Sequence, residues 1–390
     1  MHKLTGFSQI VYGFIVFGVV LLAGAVAIAS RSSNNPHEFS GKVRLILPKV
    51  IYAVPGVETN VYFDNLVVVT NPTNYVFDVT CPIGVQQTDR WTYKPDGTKA
   101  GNSPFLFEIR DETNAIIACA HSNVCVLPEN SCADVNISCL MIGDSLTQAA
   151  IYPQRILDLY NGSANPRLKL IGSRGEGLNR FEGYGGWTAK RFATHYTDIA
   201  HTGDYKQCGS PFIYKDPNSP PTLDFVRYCS EFNGGKAPDV VTILLGCNDT
   251  FLNTDENIEE SIDTMFKNYD ILIRVIRNAS KDTIIGVIPP PPPAASQDAF
   301  GTDDNGGQTF WQYKRNQHRL AERMMGKYGN SDDQKIFLVP VYINLDCMNN
   351  YPKDKNGKLC NSVHPSEQGY NQIGDTIYCW LKAVTYPGIK

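Results

Sequence analysis

Four short stretches of this sequence hold the residue types that acyl transfer needs: a hydroxyl, an imidazole, and donors for a developing negative charge. In CLMIGDSLTQ, residues 139–148, an apolar run passes through Gly-Asp-Ser into a helix-like segment. Ser145 then stands exposed at or near a helix N-terminus, where the dipole favours negative charge developing nearby. Asp144 and Ser145 could equally serve only to cap that helix. In FEGYGGWT, residues 181–188, the glycines Gly183, Gly185 and Gly186 let backbone approach a ligand closely. A glycine N–H there can point into an oxyanion hole, and the same triplet also suits a flexible turn. In LLGCNDT, residues 244–250, Asn248 is a polar side chain at the carboxyl end of an apolar strand, costly unless its amide finds partners. It could donate to an oxyanion or cap the following turn. In NSVHPSEQGY, residues 361–370, His364 precedes Pro365 and a helix that Ser366 is placed to cap. A lone histidine is usually structural or solvated. On the same rim as Ser145, it makes a nucleophile–base pair geometrically possible.

The surrounding elements decide whether these residues share a rim. From about residue 128 the chain alternates strand and helix. The runs NISCLMIG, LKLIG, DVVTILLG, TIIGVIP and KIFLVP are short and apolar throughout, as strands covered on both faces are. Helical patterns occupy residues 147–160, 255–280, 309–328 and 366–384. Such βα units predict a doubly wound parallel sheet, a three-layer α/β/α fold that binds ligands outside the carboxyl ends of its strands. The loops after Gly143, Gly172, Gly246 and Ile288 then lie on one rim. Ahead of this, residues 42–126 give short runs rich in Val, Ile, Tyr and Phe, broken by Pro, Gly, Asn and Asp. That spacing predicts a small all-β sandwich. The expected organisation is an apolar segment and linker (1–36), a β-sandwich accessory domain (37–129) and an α/β domain (130–390).

Chance turn chemistry explains each stretch alone but poorly explains four on one rim, in the order Ser, Gly, Asn, His. Together they resemble the SGNH/GDSL hydrolase superfamily, whose fold is flavodoxin-like. GDSLT looks like its first sequence block, GYGGWT its second, GCND its third and NSVHPS its fifth. The resemblance covers roughly residues 130–390. It implies an ester hydrolase with Ser145 as nucleophile and His364 as base. The N–H of Gly186 and the amide of Asn248 would join the Ser145 N–H as oxyanion donors, with no cofactor or metal. The β-rich segment in front, with EGYGGWTAKRF, is similar to a multidomain type associated with carbohydrate esters. That implies an O-acyl, and in particular O-acetyl, carbohydrate as the substrate. A lipase or thioesterase of the same superfamily, or a decayed hydrolase that only binds glycans, are the alternatives.

One position departs from the family pattern. An Asp usually stands three residues before the His, and here it is Asn361. An Asn carbonyl can accept the histidine's Nδ1–H but supplies no full charge, and its NH2 group, turned inward, selects the wrong tautomer. In the trypsin triad a change of that type costs about 10⁴-fold in rate. A backbone carbonyl, or the carboxylate of Asp346 or Asp354, would be the substitute support.

Composition sets the remaining bounds. A chain of 390 residues, 42% hydrophobic and 19% charged, is globular, and its net charge of -4 leaves no basic footprint for nucleic acid. GSRGEG, residues 172–177, opens no evident helix, so no phosphate loop is expected, and no spaced His/Cys metal-ligand set is visible. VIPPPPPAA, residues 287–295, follows the fourth strand on the rim as a rigid groove wall or a spacer, not a long apolar lid. Residues 10–30 are continuously apolar, long enough to span a bilayer, while Ala25, Ala27 and Ala29 offer a signal-peptidase site. A retained membrane anchor and a cleaved signal both place the remainder outside the cytoplasm, secreted or at the cell surface. Eleven cysteines suit an exported chain with disulfides. Cys347 with Cys360 and Cys208 with Cys229 are the expected pairs, and Cys247 a buried free thiol. Sequons at Asn136, Asn161 and Asn278 agree with that route.

Overall fold

Apolar runs that do not alternate have to be covered on both faces, and the α/β layer shows how. The computed structural model describes residues 43–128, 135–162, 165–200, 202–302, 307–329, 331, 333 and 335–386. The apolar segment at residues 10–30 lies outside them. Among the described residues no helix is long and apolar enough to cross a membrane.

The first part of the chain gives β1 (Val50–Ala53), β2 (Thr59–Tyr62), β3 (Val76–Thr80), β4 (Val85–Gln86), β5 (Arg90–Tyr93), β6 (Gly101–Arg110) and β7 (Ile116–Val126). They form two sheets, ordered β1-β7-β6-β3 and β2-β5-β4. The sheets share one core, in which Trp91 meets Phe105 edge-on at 5.3 Å. Ala321 and Tyr342 from the later part of the chain complete that core.

The second part gives β8 (Asn136–Gly143), β9 (Arg167–Ile171), β10 (Arg174–Glu176), β11 (Asn179–Gly183), the short pair β12 (Ile213–Tyr214) and β13 (Thr222–Leu223), β14 (Val240–Leu244), β15 (Ile284–Ile288) and β16 (Ile336–Leu338). Its helices are α1 (Ser145–Gln148), α2 (Ile151–Tyr160), α3 (Ala189–Thr194), α4 (Phe225–Phe232), α5 (Cys247–Thr250), α6 (Ile258–Ala279), α7 (Gln297–Thr302), α8 (Phe310–Tyr328) and α9 (Glu367–Thr385). The sheet runs β10-β11-β8-β14-β15-β16, with β9 on the first half of β8. All of its pairings are parallel except β10 with β11. Side chains along β8 alternate between two cores. Cys139 and Met141 pack with Tyr152, Ile156, Ile373 and Trp380 of α2 and α9, while Leu140 and Ile142 pack with Phe192, Tyr228, Met265 and Leu320 of α3, α4, α6 and α8. This is the three-layer arrangement the apolar runs imply.

Register levels the strand ends. Gly143 pairs with Gly183 on one side and Leu244 on the other, and Leu244 pairs with Ile288. The loops that leave these residues therefore begin side by side. Behind them, the stretch from Asp255 through α6 is joined in parallel to α8 by Asp255–Arg315, Glu259–Arg319, Asp263–Arg323 and Asp270–Lys327, the basic partners spaced by about one turn of α8.

Two expectations are corrected here. The helix expected over residues 147–160 is broken, because Ala150 adopts a left-handed conformation (φ 62°) between α1 and α2. The proposed disulfides do not form: the ten cysteines among the described residues are free thiols. Cys208 Sγ instead donates to the carbonyls of Thr202 and Asp204, and Cys347 Sγ points at the Asn65 side chain. Cys247 is buried and free, with its thiol 2.9 Å from the Tyr313 hydroxyl.

Candidate active site

Capping and presentation of a hydroxyl fall to different neighbours. Asp144 is the N-cap of α1, its Oδ1 accepting the Leu146 N–H at 3.0 Å. Ser145, the first helical residue, is left with a backbone N–H that has no intrahelical acceptor. Its Oγ lies 2.8 Å from His364 Nε2. The turn is tight enough that a methyl group at Gly143 would overlap the Thr147 side chain. A four-residue helix supplies little macrodipole, so the long-helix dipole expected behind Ser145 is absent and the local N–H is what remains.

The glycine loop is carried by β11. Glu182 pairs with Ile142, Gly183 pairs with Gly143, and the Tyr184 N–H donates to the Gly143 carbonyl at 3.0 Å. This brings Gly186 to the rim beside Ser145. Gly186 has φ +74° with open space where a Cβ would stand, so conformation rather than crowding asks for glycine. Under the loop sits Glu182, fully buried. Its carboxylate accepts the Ser173 N–H (2.6 Å) and hydroxyl (2.9 Å) and the hydroxyls of Tyr184 and Tyr228 (2.7 Å each). Burial, and then the charge of Glu182, push the Tyr184 and Tyr228 hydroxyls well above the usual tyrosine range. Glu182 escapes a reading of the sequence because a charged residue among glycines reads as loop. The tyrosine two positions on is the only local sign of a buried partner.

Asn248 lies on α5, just past the end of β14. Its Nδ2 donates to Asp144 Oδ2 and to the Trp187 carbonyl, both at 3.1 Å. Both amide hydrogens are therefore engaged, and a ligand oxygen reaches this group only by sharing one of them. The carboxyls on either side of it are unusual. Burial pushes Asp144 up to about 7, helped by the charge of Asp249 and opposed by the Leu146 N–H. Burial likewise pushes Asp249 up to about 7, although its carboxylate accepts the Ala189 N–H at 3.3 Å.

His364 is held through its backbone. Asn361 Oδ1 accepts the N–H groups of Val363 (3.1 Å) and His364 (2.8 Å), closing the turn that delivers the imidazole. The two carboxylates considered as substitutes close turns of their own: Asp346 takes the N–H groups of Met348 and Asn349, and Asp354 those of Asn356 and Lys358. Ser366 occupies the N-cap of α9, but its hydroxyl donates to Gln368 Oε1 instead of capping. The proline stretch is neither spacer nor lid. Tyr351 donates to the Pro292 carbonyl, Ala294 N–H to the Ser362 carbonyl (3.2 Å) and Ala295 N–H to the Cys347 carbonyl (3.0 Å), so the stretch straps the histidine loop down. If the Asn361 turn sets the imidazole, Asn361→Ala should lower kcat/KM on an acetate ester by up to about thirtyfold, on about 1 kcal/mol for each of the two lost hydrogen bonds. Asn361→Asp, which keeps the oxygen that accepts both N–H groups, should match the parent. Equal rates in all three proteins would remove position 361 from the orienting role.

Ser145, His364, Gly186 and Asn248 thus meet at one rim, and Asn361 acts on His364 through the main chain. A cavity of about 380 Å³ lies elsewhere, between Arg44, Arg319 and Glu322.

Sheet and rim together have the SGNH-type fold, and the protein is an ester hydrolase. Residues 141–372 match the family model described as GDSL-like Lipase/Acylhydrolase, and the chain belongs to that family. Among solved structures it is similar to a family 3 carbohydrate esterase from Talaromyces cellulolyticus, at 15% identity and TM-score 0.37, covering 63% of this chain and 96% of that one. A Clostridium thermocellum family 3 carbohydrate esterase is similar at 19% identity and TM-score 0.37, covering 62% and 94%. An acetyl xylan esterase, AlAXEase, is similar at 14% identity and TM-score 0.35, covering 63% and 100%. None of the curated proteins matches the chain in sequence.

Proposed function

We propose that this protein removes O-acyl groups, chiefly O-acetyl groups, from carbohydrates through a covalent intermediate on Ser145. The observation that carries the reading is the 2.8 Å contact between Ser145 Oγ and His364 Nε2. His364 takes the Ser145 proton as Oγ bonds to the ester carbonyl carbon, and the carbonyl electron pair moves onto oxygen. The N–H groups of Ser145 and Gly186 and a shared hydrogen of Asn248 hold that oxyanion. Collapse breaks the bond to the leaving alkoxide, which takes the proton from the imidazolium as an alcohol. Water, deprotonated by His364, then attacks the acyl-enzyme and releases the acid.

The carbohydrate half of the proposal rests on EGYGGWTAKRF, on the β-rich segment ahead of the α/β layer, and on a proline stretch spent on strapping the histidine loop. An extracytoplasmic location belongs to the same proposal and rests on residues 10–30.

The test is acetate release from ethyl acetate and from acetylated xylan, comparing the full chain with Ser145→Ala. Release lost in the variant supports the serine mechanism, and a preference for acetylated xylan supports the carbohydrate class. No release from either ester by a folded parent protein overturns the reading.

A further inference from the structure

A partly exposed aromatic ring lies against the glycine loop and takes no part in the chemistry described above. A methyl group at Gly185 would lie 3.1 Å from Tyr205 Cε2, 3.3 Å from its Cζ and 2.6 Å from Gln148 Oε1. The ring of Tyr205 and the side chain of Gln148, on the helix that carries Ser145, thus both close on Gly185, one residue before Gly186. Tyr205 packs one side on the core beneath and leaves the remainder accessible.

The segment that presents it is firmly fastened. Arg174 donates to the Gly203 carbonyl (2.7 Å) and to Cys208 Sγ (2.7 Å), while its guanidinium lies 5.0 Å over the Tyr184 ring of the glycine loop. Cys208 Sγ closes back on the carbonyls of Thr202 and Asp204 (3.1 Å each), and the Gly209 N–H donates to the Ile199 carbonyl (2.8 Å). One arginine thus ties Tyr205 and the glycine loop into a single unit. Its neighbours along the chain, Thr202, Asp204, Lys206 and Gln207, are exposed and polar, and the Lys206 ammonium stands 6.0 Å from the ring centroid on a flexible side chain. An accessible ring framed by donors and acceptors suits a ligand with one apolar face and hydroxylated edges, which is a pyranose ring. An acyl tail would ask for a continuous apolar surface instead.

The geometry points to Tyr205 as a specificity-determining residue, a stacking platform for the sugar ring whose ester lies at Ser145. This rests on the carbohydrate reading above. The experiment compares kcat/KM for peracetylated xylose and for ethyl acetate, which has no ring to stack, in the parent, Tyr205→Ala and Tyr205→Phe. The ratio of sugar ester to ethyl acetate should fall roughly three- to tenfold in Tyr205→Ala, through KM, and be kept in Tyr205→Phe. An equal loss on both esters, or no loss on either, overturns the platform while leaving the esterase reading intact. A parent that turns over ethyl acetate but not the acetylated sugar overturns the carbohydrate reading and the platform together.

Discussion

Ser145→Ala and His364→Ala should each lower kcat by on the order of 10⁶-fold, and the double variant should lower it no further. The hydroxyl and the imidazole touch at 2.8 Å, and in the proposed mechanism neither acts without the other. Without the base the hydroxyl keeps its proton, and without the hydroxyl the base has nothing to activate in the first step. The residual rate in all three variants should be alike, set by the oxyanion donors and substrate positioning. Single-turnover acetate release at saturating ester measures this cycle, with Tm recorded beside it. Both groups are only partly buried, so Tm should barely move. Losses that add in the double variant would show two independent functions and sink the pairing.

Asp144→Asn should cost about 10²–10³-fold in kcat and change how stability depends on pH. The wild-type carboxylate uses one oxygen on the Leu146 N–H and the other on the Asn248 amide. An asparagine has one acceptor oxygen, so one of those donors would face an NH2 group. Loss of the Asn248 contact frees an oxyanion donor to wander, and loss of the Leu146 contact uncaps the helix that carries Ser145. The pH effect has a definite sign. Asp144 titrates near 7 in the folded protein and near 3.8 when free, so the folded state binds more protons between those values. Stability therefore falls as pH rises from about 4 to about 7, by up to about 4 kcal/mol for this group if the whole shift is realised. Asp249 adds in the same direction. Thermal unfolding at pH 5 and pH 8 should show a Tm drop in the parent that is smaller in Asp144→Asn. Equal drops would mean that Asp144 keeps its ordinary acidity.

The parts of this design that a sequence makes legible are those written in local chemistry. NISCLMIG has the bounds of β8, and β14, β15 and β16 fall inside DVVTILLG, TIIGVIP and KIFLVP, because strands covered on both faces cannot hide their apolar character. Ser145 and Asn248 stand where a strand gives way to a helix, and Gly186 and His364 lie in loops that open onto the same rim, so short local patterns suffice to single them out as candidates. What stayed hidden depends on distant partners. β11 is polar except for Phe181, and its place in the sheet comes from pairing with β8. Glu182 needs Ser173 and Tyr228 to make its burial tolerable, and Tyr228 lies 46 residues away. The break at Ala150 has a local cause that the apolar periodicity masks: Pro153 has no N–H to give the Ala149 carbonyl and its ring crowds that group, so a helix cannot run on through it. The cysteine pairs failed for a related reason: a high count and loop spacing say nothing of where each sulfur points, and Cys208 is occupied by a local turn. The proline stretch showed its stiffness in the sequence, but not that the histidine loop would lean on it.

Ser145 and His364, proposed as nucleophile and base, are separated by 219 residues. The base arrives on a loop strapped by residues 292–295 and followed by α9, whose Trp380 fills the space left by the missing side chain of Gly286 in β15. A ribosome-bound chain that has built β8 and its turn therefore holds a serine with no partner, and it remains chemically silent until the last helix docks. Regained hydrolysis in a refolding experiment should then trail the recovery of helical signal, which makes catalysis itself the most selective clock for the final step of folding.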